Sequence, residues 1–281
     1  MIAEELVVNL KEIFIHIGFH KTGTTFLQQR IFPYLKNVNY LHNGGLINLV
    51  GSHKKVLISN EALSGIPYHR NEKSYYDQFC FNITQLKSTF GNFNLILGFR
   101  EPSSMVNSLY KQYLHEGGIL TFEKFYGNHT ESIVKETDLY FLKFYSYLLE
   151  NFEKERLFCY DHKQLLHEPQ IVISSLLRFL GQEDGFDSEK NGATKRNVSV
   201  PDNLEGFLLG LNKWDNRLKA KFGTGLNNKY TRRHRITPRS LAQYTLPKIF
   251  GRKRQRNLEE IKIKYAPDWD KLATQIKIRQ C

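Results

Sequence analysis

Residues 12–25 read Glu-Ile-Phe-Ile-His-Ile-Gly-Phe-His-Lys-Thr-Gly-Thr-Thr. The run Ile13-Phe14-Ile15-His16-Ile17 is short and apolar, and Gly18 ends it in turn chemistry, so it reads as a buried strand. Over residues 24–35 the apolar side chains Phe26, Leu27, Ile31 and Leu35 fall at helical spacing, with Pro33 near the end, which predicts a helix. A strand feeding a Gly/Thr turn and then a helix aims backbone N–H groups and a positive helix end at one point, where a phosphate binds. Lys21 adds a point charge there, and Thr24 and Thr25 add hydroxyl donors. The usual nucleoside-triphosphate loop places its lysine after the second glycine and before Ser or Thr. Here Lys21 precedes Gly23. A Gly/Thr helix start with an exposed lysine is the alternative reading of the same stretch.

Outward from this stretch the pattern alternates. Strands are predicted over residues 39–42, 55–59, 94–99 and 156–160. Helices are predicted over 75–90, from Pro102 to about His115, over 138–151, and over 170–180 with closure at Gly181. Alternation from residue 12 to 181 predicts an α/β fold with a central, mostly parallel sheet flanked by helices in three layers. The core is expected over 1–200. A basic, mainly helical extension over 201–281 is expected to pack on it within a single domain. Ligands in such sheets lie beyond the carboxyl ends of the strands, and every motif described here falls at such an end.

Composition narrows the partners. The chain has 281 residues, 41% of them hydrophobic, enough for one large core. No run of about 18 apolar residues occurs, so no transmembrane helix is expected. The first ten residues carry Glu4 and Glu5 and lack the pattern of a signal peptide, which sets a cytoplasmic location as the expectation. A net charge of +12 attracts nucleotides, nucleic acid, acidic glycans or an anionic membrane. The clusters Arg232-Arg233-His234-Arg235 and Arg252-Lys253-Arg254-Gln255-Arg256 do not interleave with an aromatic platform, so no specific nucleic-acid partner is expected. An anionic glycan, peripheral contact with an anionic membrane, a partner and a merely solvated basic face all remain open for them. The three cysteines lack zinc-site spacing, and no metal is expected. Oligomeric state is not written in the sequence.

A second motif, Gly98-Phe99-Arg100-Glu101-Pro102, ends the strand at 94–99, with Ser108 eight residues after the arginine. Arg100 offers a bidentate fork and Ser108 a hydroxyl, and both can reach one phosphate. The strand, then Lys-x-Gly-Thr-Thr, then helix resembles the 5′-phosphosulfate loop of the sulfotransferase superfamily. Arg-x-Pro with a serine eight positions on is similar to that family's 3′-phosphate site, although Glu101 stands where the family usually has Asp. Phe158-Cys159-Tyr160-Asp161 and Phe179-Leu180-Gly181 resemble its fifth strand and the end of the next helix. Together these matches cover about residues 12–200.

The resemblance implies a P-loop-like fold, 3′-phosphoadenosine 5′-phosphosulfate as co-substrate, adenosine 3′,5′-bisphosphate as product, and no metal. It implies that His20, Lys21, Thr22, Gly23, Thr24 and Thr25 hold the 5′ end, with Lys21 on the oxygen that bridges phosphorus and sulfur. Arg100 and Ser108 hold the 3′-phosphate. Tyr160 lies near the adenine, or is an ordinary aromatic at a strand end. Lys195 and Arg196 close over the 3′-phosphate, or are a solvated charge pair.

An acceptor hydroxyl must lose its proton as it attacks sulfur, and a carboxylate or histidine within reach takes it. Val56-Leu57-Ile58-Ser59-Asn60-Glu61 places Glu61 just past a strand end. Ser-x-Glu-x-Leu here resembles bacterial and glycan sulfotransferases with a glutamate base, so Lys21 and Glu61 are the expected catalytic pair. Glu61 as a surface carboxylate or helix-start residue is the alternative. His115 competes as the base. His16 reads as a core histidine, His20 as a residue shaping the loop, and His53 as exposed. The acceptor implied is a hydroxyl on a carbohydrate or lipid-linked sugar. Two rival functions are a P-loop-type kinase and a basic polyanion-binding protein.

Overall fold

The computed structural model describes residues 12–42, 55–65, 67, 73–182, 205–222 and 258–278. Seven strands are formed among them: β1 (Glu12–His16), β2 (Val38–His42), β3 (Lys55–Ser59), β4 (Asn94–Phe99), β5 (Tyr126–Gly127), β6 (Val134–Lys135) and β7 (Leu157–Asp161). β5 and β6 make a separate two-residue pair. The other five form one sheet in the order β2-β3-β1-β4-β7, and every ladder in it is parallel. The expected α/β class is therefore observed.

The helices are α1 (Thr24–Arg30), α2 (Tyr75–Phe90), α3 (Pro102–His115), α4 (Phe122–Phe125), α5 (Phe141–Asn151), α6 (His162–His167), α7 (Pro169–Phe179), α8 (Glu205–Phe222) and α9 (Glu259–Ile276). Parallel strands are covered on both faces and so read as continuous apolar runs. On one face Phe14, Leu57, Ile96 and Phe158 pack with Leu27 of α1 and Val172 and Leu176 of α7. On the other, Val56 and Ile58 pack with Phe90 of α2. Just beyond β1, the Phe19 ring meets Tyr75 and Phe79 of α2 and Phe141 and Phe144 of α5.

Two expected helices are shorter than their periodicity suggests. The one over 24–35 stops at Arg30, and Phe32–Tyr34 continues as a 3-10 turn with Pro33 in its first positions. Proline has no N–H to extend the α-helical ladder, which accounts for the break. The one over 138–151 divides into a 3-10 turn, Glu136–Leu139, and α5.

The chain divides into two compact units. One comprises the described residues up to Pro102, those of Thr137–Ala193, and those from Lys262 onward; the other comprises Ser103–Glu136 and the described residues of Thr194–Ile261. Residues 103–136 belong to the second unit and most of α9 to the sheet unit.

Long-range side-chain bonds lie within each unit. In the second unit Asn212 of α8 donates to the carbonyls of Leu114 at 2.8 Å and Gly118 at 2.9 Å, closing the end of α3. In the sheet unit Tyr265, Trp269, Leu272 and Ile276 form the buried stripe of α9. Asp268 accepts from the Leu142 N–H at 3.1 Å and so caps α5, whose own N-cap residue, Tyr140, makes no side-chain cap bond. No helix among the described residues is long and apolar enough to cross a membrane.

Candidate active site

Strand order locates the site. From β1 the chain runs outward to β2 and β3 on one side, then crosses to β4 and β7 on the other. The connection after β1 leads to one side and the connection after β4 to the other, and ligands in open parallel sheets bind beyond the carboxyl ends of such a pair. The loop that fills this position is the Gly18–Thr25 stretch singled out by sequence. The end of β3 flanks it on one side and the end of β4 on the other.

Within the loop, inward and outward side chains have different tasks. Lys21 adopts a left-handed backbone with φ 68°, and Gly23, the residue before α1, follows with φ 92°. Lys21 and Thr25 are exposed, whereas Thr22 and Thr24 are buried. The Thr22 hydroxyl donates to the Phe19 carbonyl at 2.5 Å and lies 3.5 Å from the Thr24 hydroxyl. Thr22 therefore braces the loop from inside, although sequence placed it among the nucleotide contacts. α1 is seven residues long, so the loop's pull on an anion rests on side-chain charge more than on a long helix dipole.

The floor is a buried polar cluster. His16, with no exposed surface, pairs through Nδ1 with the Ser59 hydroxyl at 2.8 Å, and Gln28 donates to the same hydroxyl at 2.9 Å. Burial lowers the His16 pKa to about 3, so the ring is neutral at physiological pH. It is a buried core histidine, hydrogen-bonded at one ring nitrogen. Its Nε2 takes no hydrogen bond and lies 3.1 Å from where a Cβ on Gly18 would stand, with Thr24 Oγ1 at 2.6 Å and Thr22 Oγ1 at 3.2 Å from that same point.

Glu61 reaches the loop from the β3 side. Asn60 ties the two strand ends, its N–H donating to the His16 carbonyl at 3.0 Å. Its side chain caps the 3-10 turn Glu61–Ser64 by accepting from Ala62 N at 2.9 Å. This sets the Glu61 carboxyl 3.7 Å from His20 Nδ1, with its side chain 31% exposed. Burial raises the Glu61 pKa above the ordinary glutamate value. The Thr24 hydroxyl and the positive fields of Lys21 and His42 pull it down without cancelling burial. A carboxyl whose proton affinity is raised has chemistry suited to proton abstraction.

Arg100 reaches the loop from the β4 side. Its Nη1 donates to the Lys21 carbonyl at 2.8 Å. Burial lowers its pKa to about 10, against the opposing fields of Glu101 and Asp161, and the guanidinium keeps its charge. His162, just past β7, is held neutral, its pKa pushed to about 3 by burial and then by Arg100. A Cβ on Gly23 would stand 3.6 Å from the His162 ring. The Asp161 carboxyl accepts from Lys163 N at 2.9 Å and lies in the field of Arg100. Sequence reasoning gave His162 no role. The signal was its place: it follows the fifth strand at the same end of the sheet as the other motifs.

The remaining predicted residues divide. Lys21, His20, Thr24 and Glu61 gather on one side of the loop, and Arg100 joins through the Lys21 carbonyl. Tyr160 is wholly buried in the core cluster, its hydroxyl beside Thr22 and its ring against Gly98. It thus offers no exposed face to an adenine, because the flat ladder partner Gly98 lets the ring fold onto the sheet. Ser108 is half-buried on α3, and His115 is exposed at the end of that helix; both stand in the second unit. Lys195, Arg196, His53 and the Arg232–Arg235 and Arg252–Arg256 clusters lie outside the described residues.

No family model matches the sequence, and no curated protein matches it. Solved structures do. A sulfotransferase from Alicyclobacillus acidocaldarius is 14% identical, with a TM-score of 0.48, over 76% of this chain and 96% of that one. A mouse sulfotransferase, SULT7A1, complexed with PAP, is 15% identical, with a TM-score of 0.42, over 67% of this chain and 66% of that one.

Proposed function

We propose that the chain is a sulfotransferase that moves a sulfuryl group from 3′-phosphoadenosine 5′-phosphosulfate to an acceptor hydroxyl. One observation carries the reading. Two basic residues from motifs 79 positions apart meet at the end of β1, Arg100 bonded to the carbonyl of Lys21, with the Glu61 carboxyl in the field of that same lysine. A donor with phosphate at both ends of its adenosine fits such a pair.

Each residue then has a task. The Lys21 ammonium meets the negative charge that grows on the bridging oxygen as the sulfur–oxygen bond breaks. Preorganised charge of this kind contributes about a hundredfold to a thousandfold in rate. Glu61 takes the proton from the acceptor oxygen as that oxygen bonds to sulfur. The Arg100 guanidinium, on the β4 side, holds the 3′-phosphate, and adenosine 3′,5′-bisphosphate leaves. A carboxylate base of this kind matches an aliphatic alcohol, and a sugar hydroxyl on a glycan or lipid-linked carbohydrate is the acceptor class proposed.

The test is transfer from radiolabelled donor to a panel of sugar, lipid-linked sugar, phenol and amine acceptors, with nucleotide binding measured alongside. Labelled product is expected, and Lys21→Ala should lower turnover by about a hundredfold or more. Tighter binding of ATP with magnesium than of adenosine 3′,5′-bisphosphate without it would sink the proposal.

A further inference from the structure

Contact with a phosphate does not account for everything Arg100 touches. Its guanidinium already donates to a protein group, the Lys21 carbonyl, at 2.8 Å. That carbonyl belongs to a residue whose backbone is left-handed, φ 68°, although it carries a Cβ. Such a conformation costs free energy and persists where surrounding bonds hold it. The Lys21 side chain is exposed, and the orientation of its peptide sets where the side chain starts.

The surroundings of Arg100 fit this holding task. Asp161 and Glu101 supply negative fields on the guanidinium, and His162 beside it is neutral and does not repel it. The arginine is only half exposed, so its bond to the carbonyl is charge-assisted and partly screened from water.

We propose that Arg100 is a positioning residue for Lys21, in addition to any contact with the 3′-phosphate. The bond fixes the left-handed turn and thereby aims the lysine at the 5′ end of the donor. The two anion pockets are then one mechanical unit, and damage at the 3′ pocket reaches the 5′ pocket through the loop. This rests on the role given to Lys21 under the proposed function.

A donor without a 3′-phosphate separates the two roles. Hydrogen exchange of the loop amides 19–25 is measured in wild type and Arg100→Met without nucleotide. Calorimetry then gives affinities for adenosine 5′-phosphosulfate and for adenosine 3′,5′-bisphosphate. The variant is expected to exchange the loop about tenfold faster or more and to lose about tenfold in affinity for adenosine 5′-phosphosulfate, the scale of one hydrogen bond to a charged group. Should Arg100→Met not fold, Arg100→Lys, which keeps the charge but lacks the planar fork, carries the same measurements. Unchanged loop exchange overturns the proposal. So does unchanged affinity for adenosine 5′-phosphosulfate while affinity for the bisphosphate falls, because Arg100 then serves the 3′-phosphate alone. If wild type binds neither nucleotide, the sulfotransferase reading fails, and loop exchange still decides whether Arg100 holds Lys21.

Discussion

Glu61→Gln keeps the shape of the side chain and removes both its proton affinity and its charge. Two effects of opposite sign follow. Loss of a general base costs about a hundredfold or more in turnover, which is about 2.7 kcal/mol at 1.36 kcal/mol per decade. Stability moves the other way. The folded pKa of Glu61 lies above the ordinary glutamate value of 4.5 because burial dominates. A raised carboxyl binds its proton more tightly in the folded state, so its contribution to stability is present at acid pH and fades as pH rises through the raised value. Glutamine has no charge to desolvate. The variant should therefore melt higher than wild type at pH 8, and the gap should close as pH falls toward 4.5. Turnover is read by transfer of labelled sulfate and melting by calorimetry across that range. The acid limb of the wild-type kcat/KM profile should lie above the pH of an ordinary glutamate and vanish in the variant. Near-normal turnover removes Glu61 as the base. A variant that melts lower than wild type at pH 8 refutes the claim that burial outweighs the favourable fields of Lys21 and His42.

Two further outcomes test the frame that holds these groups. Gly98→Ala puts a Cβ 2.5 Å from Tyr160 Cζ and 2.6 Å from its hydroxyl, an overpacking that should cost about 1–3 kcal/mol in urea unfolding. Combining it with Tyr160→Leu should be clearly non-additive, and additive costs would show that the ring does not lie on Gly98. His16 has a folded pKa of about 3 against the ordinary histidine value of 6.5. The unfolded chain therefore takes up a proton that the folded chain refuses, and stability falls as pH drops below 6.5 by up to about 1.4 kcal/mol per unit from this group. His16→Asn should flatten that slope in urea titrations at pH 7 and 5.5, and an unchanged slope would remove His16 as its source.

The fold class was readable because β1, β3 and β4 are short, apolar and separated by helical periodicity, a pattern that buried parallel strands impose on sequence. The position of Lys21 and Arg100 at strand ends was readable for the same reason. Strand order was not: Asn60 bonding to the His16 carbonyl joins strands that sequence separation alone does not pair. Nor was the fate of the loop hydroxyls, since Thr22 and Thr25 have the same chemistry in sequence and differ in burial, which tertiary packing decides. Tyr160 shows a related limit. An aromatic at a strand end is a ligand face or a core plug according to whether its ladder partner has a side chain, and here the partner is Gly98. No local pattern announces the long-range bonds of Asn212 to the end of α3 and of Asp268 to the start of α5.

Sheet order also gives the proposed reaction a direction. Neighbouring parallel strands lie about 4.8 Å apart, so the ends of β3 and β4, with β1 between them, are separated by about 10 Å. The base stands on the β3 side, the guanidinium on the β4 side, and Lys21 on the loop between. A nucleotide whose 3′-phosphate meets Arg100 must present its 5′ group toward β1, and the acceptor must then arrive over β3 and β2. His42, at the exposed end of β2, is already within the field of Glu61 and bonds the Tyr40 hydroxyl through Nδ1 at 3.2 Å. Beneath, the His16–Ser59–Gln28 cluster is buried and hydrogen-bonded, and His16 in it is neutral. In the proposed reaction the moving charge lies on the rim and fixed, neutral polarity in the core, with Glu61 in the field of Lys21 and the two acting on opposite ends of one bond transfer.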